Sequence, residues 1–233
     1  MTVANNRLRG HWWSTKPHGC LPVATWRCTA RLLWGLLLAA CVAGCAFVDK
    51  PTRPMMYDFG PGRLGNPVTS AADSLGILAL SDVEVASALD NTAVVYRLIY
   101  TDAQQLLPYA QARWSMAPAQ LVRQRLREVL GQHRTVLSPG DGNVTGPKPA
   151  HVLRVELEEF SQLFDAPGRS FGLVRLRATL VQGLPGGDRL LGQRSFVVQR
   201  PAPSPDAAGG VHALTVATNT AVEEIEQWLS QFP

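Results

Sequence analysis

The chain has 233 residues, 46% of them hydrophobic and 17% charged, with a formal net charge of +4. The positive balance is local: residues 1–44 hold Arg7, Arg9, Lys16, Arg27 and Arg31 and no acid, which leaves 17 basic against 18 acidic residues beyond them. A folded part this close to neutral lacks the clustered cations that bind phosphate backbones, so nucleic acid is excluded as a partner.

Arg27 and Arg31 precede an apolar run over residues 32–42. It is too short to span a bilayer, which takes roughly 20 apolar residues. A run of about 7–15 behind a basic segment is instead the core of an export signal. Val42-Ala43-Gly44-Cys45 follows: small residues that let a peptidase grip an extended backbone, then a thiol that can carry lipid. Leu38-Ala39-Ala40-Cys41 is a second match, but it would leave only residues 32–37 as the apolar core. The sequence therefore predicts cleavage between Gly44 and Cys45 and acylation of Cys45, with palmitate among its lipids. Cys20, Cys28 and Cys41 would leave with the signal, so no disulfide is expected and the fold must rest on its core. The predicted organisation is a signal over residues 1–44, a tether over 45–56 and a single periplasmic domain over 57–233. That length is ample for one core.

After a Gly/Pro-rich loop over residues 61–73, residues 75–80 form an apolar run of strand length, and Val83 and Val85 alternate with Glu84. Asp90-Asn91 favours a turn. Residues 94–100 are β-branched and aromatic, a strand. A second strand is expected over 106–114, with Pro108 pushing it to an edge or bulge. Ser115 and Pro118 open a predicted helix by capping and by proline in the first turn. Leu121, Val122, Leu126, Val129 and Leu130 share one face of it, and Gly131 is a natural stop. Residues 135–137 suit a short strand and 138–149 a loop. Residues 151–164 and 171–184 alternate apolar with charged residues. Pro185-Gly186-Gly187-Asp188 turns the chain into a returning strand over 190–199. Residues 201–210 read as a break before a last helix over 211–231, whose stripe is Leu214, Ala217, Ala221, Ile225, Trp228 and Leu229. The expected fold class is α/β of the α+β type: a two-layer domain, a mainly antiparallel sheet packed by two main amphipathic helices.

The pattern offers no catalytic residues, no metal ligands and no cofactor motif. His133, His151 and His212 stand apart from acids at metal-ligand spacing, and only one cysteine follows the signal. Glu158-Glu159 falls in an alternating strand, and Glu223, Glu224 and Glu226 on the polar side of the last helix. The Gly-rich stretches lack the lysine of a phosphate cradle, and no Gly-x-Ser-x-Gly elbow is present. Aromatic and arginine residues are enriched where proteins bind one another. Tyr96-Arg97 and Arg113-Trp114, on adjacent predicted strands, are thus a candidate interaction surface. Tyr96 and Trp114 packing beneath the predicted helix over 117–130 is the alternative.

Several of these residues together resemble a known family. Tyr57-Asp58-Phe59-Gly60, Leu89-Asp90 before Val95-Tyr96-Arg97, Tyr109 with Arg113-Trp114 and Pro118, the strand with Leu153, Phe160 and Phe164, and terminal Trp228-Leu229 occur in the order found in ABC-type transport auxiliary lipoproteins. The resemblance implies a membrane-anchored lipoprotein without enzymatic activity, beside an MCE-domain protein and ABC transporter subunits in lipid transport between membranes. It also implies assembly with partners or as a homo-oligomer. Ala46, following the acylated cysteine, points to the outer membrane, with the domain facing the periplasm. A lipoprotein that assembles or chaperones an outer-membrane complex is the competing function.

Overall fold

The computed structural model describes residues 53–62, 76–138, 151–184 and 186–232. The expected signal, the cleavage site at Gly44 and Cys45, and most of the loop expected over 138–149 lie outside them. The elements are β1 (Met55–Tyr57), β2 (Ile77–Val85), β3 (Ala93–Leu98), β4 (Asp102–Trp114), α1 (Pro118–Leu130), β5 (Thr135–Leu137), β6 (His151–Ala166), β7 (Arg169–Gln182), β8 (Arg189–Pro201) and α2 (Ala207–Leu229).

All eight strands join one sheet around β6, whose 16 residues give it room for three neighbours. Antiparallel β7 occupies one edge of β6 from His151↔Gln182 to Ala166↔Arg169, and antiparallel β8 lies beyond it. The other edge is divided. β2 runs parallel to its first half, Leu78↔His151 to Val85↔Leu157, and β3 runs parallel to its second, Tyr96↔Gln162 to Leu98↔Phe164. Past β2 lies parallel β5; past β3 lie antiparallel β4 and then parallel β1. The sheet is thus mixed. Its longest ladders are antiparallel, as hairpin spacing predicts, but β2 and β3 reach β6 only through a connection containing α1. Such crossovers bring strands together in parallel.

Both helices cover the same face, with α2 on β6, β7 and β8 and α1 on β2 and against α2. The stripe expected on α2 is the buried one: Leu214, Ala217, Ala221, Ile225 and Leu229 are almost fully covered. The helix begins earlier than expected, at Ala207, because the Asp206 carboxylate accepts from Gly209 N at 2.8 Å and caps it. Gly209 and Gly210 fall in the expected break, but the fold needs them for close approach. A Cβ on Gly210 would meet Gln162 Oε1 at 2.1 Å, and one on Gly172 of β7 would meet Leu214 N at 2.7 Å. In α1, Pro118 opens the helix as expected, but the N-cap position is Ala117, without a side-chain hydrogen bond. Ser115 is engaged elsewhere: its N–H donates to Tyr57 O at 2.7 Å, continuing the β1–β4 pairing.

Candidate interaction surface

The last two residues of the expected tether, Met55 and Met56, already belong to the sheet, and with the residues that follow they are locked onto the domain by three kinds of contact. β1 pairs with β4 from Met55↔Ala112 to Tyr57↔Trp114. Phe59 then enters the core, 8% exposed, with its ring 5.6 Å from Trp114 in an edge-on arrangement and 6.1 Å from Phe160. Asp58 accepts from Gly60 N at 2.7 Å, a local turn that suits the left-handed backbone of Gly60. Over this strap reaches Arg125 of α1, only 6% exposed. Its Nη2 donates to Phe59 O at 2.8 Å, and its Nη1 lies 3.2 Å from Glu128 Oε2. A guanidinium bonded to both a carbonyl and a carboxylate fixes the strap in direction as well as position.

Arg125 was missed in the sequence, although a signal was present. It stands three residues after Val122 and four after Leu121, on the apolar stripe of α1, where a cation is tolerated only with partners. Gln162 carries the same signal. It falls between Phe160 and Phe164 on the inward side of β6 and is fully buried. Tyr109 Oη donates to its Oε1 at 2.8 Å, and its Nε2 donates to Ser170 Oγ at 2.7 Å. Burial, with lesser contributions from Tyr96 and Asp206, pushes the Tyr109 phenol up to about 12. The phenol therefore stays protonated and able to donate across the neutral range.

The four residues predicted as an interaction surface do not share one. Trp114 is fully buried, 5.5 Å from Phe160, and belongs to the core with Phe59. Tyr96 lies on the helix-covered side, 4.6 Å from Tyr109 and 5.9 Å from Phe164. Arg113 donates to the carbonyls of Tyr109 and Ala112 along its own strand. Arg97, next in sequence to Tyr96, projects from the opposite side of the sheet. There its Nη2 lies 3.4 Å from Glu159 and its Nη1 donates to Gln104 O at 3.2 Å. Strand alternation separates neighbours that adjacency in sequence had grouped.

That opposite side, which neither helix covers, carries a lattice of charge across β6, β7 and β3. Arg177 bridges Glu156 and Glu158, Arg154 pairs with Asp188, and Arg97 with Glu159. A shift of register between Leu157 and Glu159 brings Glu158 and Glu159 both within reach of arginines. Among the described residues, no group of three or more His, Cys, Asp or Glu side chains is placed to hold a metal ion. No helix there is long and apolar enough to cross a membrane.

A strap clamped by Arg125 and a two-helix layer on one face of the sheet, with ion pairs on the other, make up the described domain. The model of the ABC-type transport auxiliary lipoprotein component family matches residues 59–226, from the strap to the last turns of α2. The chain belongs to that family. A solved structure of a Xanthomonas campestris protein is similar at 16% identity, with a TM-score of 0.58 over 75% of this chain and 94% of that one. An uncharacterized protein of known structure is similar at 15% identity, with a TM-score of 0.56 over 76% of this chain and 99% of that one. Both likenesses concern the fold. No curated protein matches the chain.

Proposed function

We propose that the protein is a membrane-anchored, non-catalytic auxiliary subunit of an ABC/MCE-type system that moves lipid between membranes. The family match over residues 59–226 carries this reading, because that family is described as an auxiliary lipoprotein component of ABC-type transport. In this account Cys45 bears the acyl groups in the outer membrane and the domain over residues 57–233 faces the periplasm. The open face of the sheet, with Arg97, Arg154, Arg175 and Arg177 among carboxylates, meets the MCE-domain partner or a further copy of the chain. Paired charges of alternating sign select a partner by complementarity and orient its approach.

The anchor is tested by mass spectrometry of the protein from its own membranes. Acyl groups on Cys45 are expected, with loss of processing in Cys45→Ala and normal processing in Cys41→Ala. Acylation of Cys41, or none at all, would overturn the assignment. Fractionation with the inner membrane would overturn the placement.

A further inference from the structure

We infer that β8 is a docking edge, which takes an extended acidic segment of a partner protein as a further strand of the sheet. The inference goes beyond the anchor and the open face and depends on neither. The sheet has few places to grow. β1 and β5, at the two ends of its path, are three residues each. β4 is broken by Pro108 and by two shifts of register in its pairing with β3. β8 differs. Among the described residues it pairs only with β7, and from Leu180↔Gly192 to Phe171↔Pro201 that ladder runs without a shift. No proline interrupts it before Pro201 at its end. The outer side of this stretch therefore presents an unbroken row of backbone donors and acceptors about 30 Å long.

The charges that would guard such an edge are drawn back from it. Arg194 and Arg200 lie on the helix side of β8, the side shared with buried Phe196 and Val198. The Arg194 guanidinium stacks 5.2 Å from the centre of the Phe196 ring. Arg200 Nη2 donates to Thr220 Oγ1 of α2 at 3.0 Å, and its Nη1 to Gln199 O at 2.9 Å. The opposite side carries Gln193, Ser195, Val197 and Gln199, all exposed and none charged. Val197, at the centre, is 54% exposed.

Charge selects the occupant. β8 holds three arginines and no acid, and among the described residues none of the three forms an ion pair. A second copy would set β8 against itself, three arginines against three with no carboxylate in either strand, and like charges across a ladder destabilise it. A strand with carboxylates opposite Arg194 and Arg200 does the reverse. Those arginines are six residues apart on one side of the strand, about 20 Å, so the partner's carboxylates share a side at that spacing. On the partner's other side an apolar β-branched residue meets Val197. Backbone hydrogen bonds give such strand addition its affinity, and the side chains its choice.

The test titrates detergent-solubilised full-length protein into a fluorescein-labelled peptide, Thr-Glu-Val-Thr-Val-Thr-Val-Glu-Thr, and follows fluorescence anisotropy. Saturable binding is expected. Arg194→Glu/Arg200→Glu, shown to be folded by urea unfolding, should bind about tenfold more weakly, and the same peptide with Lys for Glu should restore its binding. Backbone N-methylation at alternate peptide residues separates a ladder from simple charge attraction, because a strand turns every second N–H toward its neighbour. One of the two alternate methylation sets should abolish binding and the other should leave it. No binding by the folded parent, or binding that neither methylation set affects, would overturn the inference. An oligomer of the protein that dissociates as the peptide binds would assign the edge to a second copy and likewise overturn it.

Discussion

Replacing Phe59 by Ala separates a strap that belongs to the core from one that merely rests on it. Phe59 is 8% exposed and contacts both Trp114 and Phe160. Truncating a buried phenylalanine costs about 3–5 kcal/mol, and aromatic pairs contribute about 0.5–1.5 kcal/mol beyond burial. The lower end applies here, because a strap at the sheet edge can settle into part of the void. A loss of about 3 kcal/mol shifts the folding equilibrium more than a hundredfold. For a domain of this size it lowers Tm by about 6–12 °C, at about 2–4 °C per kcal/mol. Urea unfolding of the detergent-solubilised protein, followed by the fluorescence of Trp114 and Trp228, measures it. Phe59→Leu, which keeps most of the apolar volume, should lose about 1 kcal/mol. A Phe59→Ala protein within about 0.5 kcal/mol of the parent would refute the assignment of the strap to the core.

Gly172→Ala should destabilise by about 2 kcal/mol and shift α2, since its Cβ would press on the helix backbone at Leu214; chemical denaturation and α2 amide exchange would register it. The Tyr109 phenol, raised to about 12 in the folded state against about 10 unfolded, stabilises the fold fully below pH 10. That stability is lost as pH rises from about 10 to 12, because the unfolded chain releases its proton first. An alkaline unfolding profile should show the loss in the parent and a flatter slope in Tyr109→Phe. Arg97→Glu sets a second carboxylate against Glu159 and should cost about 1 kcal/mol in urea unfolding, because the pair is only partly exposed. Trp114→Ala should lose about 4 kcal/mol in the same assay, as a core residue does.

Periodicity made the local elements legible. The alternation of Leu153, Val155 and Leu157 became β6, that of Val174, Leu176 and Ala178 became β7, and the stripe on α2 became its buried face. The missing step of phase between Leu157 and Phe160 was a readable bulge, and it places Glu158 and Glu159 among the arginines. The division of one edge of β6 between β2 and β3 was not legible, because hydrophobic pattern encodes which side of a strand is buried and not which strand lies beside it. The early start of α2 was hidden by Gly209-Gly210. Propensity treats glycine as a breaker, whereas Gln162 and Ser204 leave no room there for a side chain. The predicted surface around Tyr96, Arg97, Arg113 and Trp114 grouped residues by adjacency. Alternation places Tyr96 and Arg97 on opposite sides of the sheet, and the strap covers Trp114 with Phe59. Arg125 and Gln162, polar residues on apolar faces, were the better markers of a built site.

The central claim concerns partnership, and affinity purification of the acylated full-length protein from its native membranes tests it most directly. Quantitative mass spectrometry should find an MCE-domain protein together with an ABC ATPase and permease at fixed ratios. Arg97→Glu/Arg177→Glu, still folded and acylated, should lose them. A folded, acylated parent protein that purifies alone, or only with an outer-membrane assembly complex, would contradict the account.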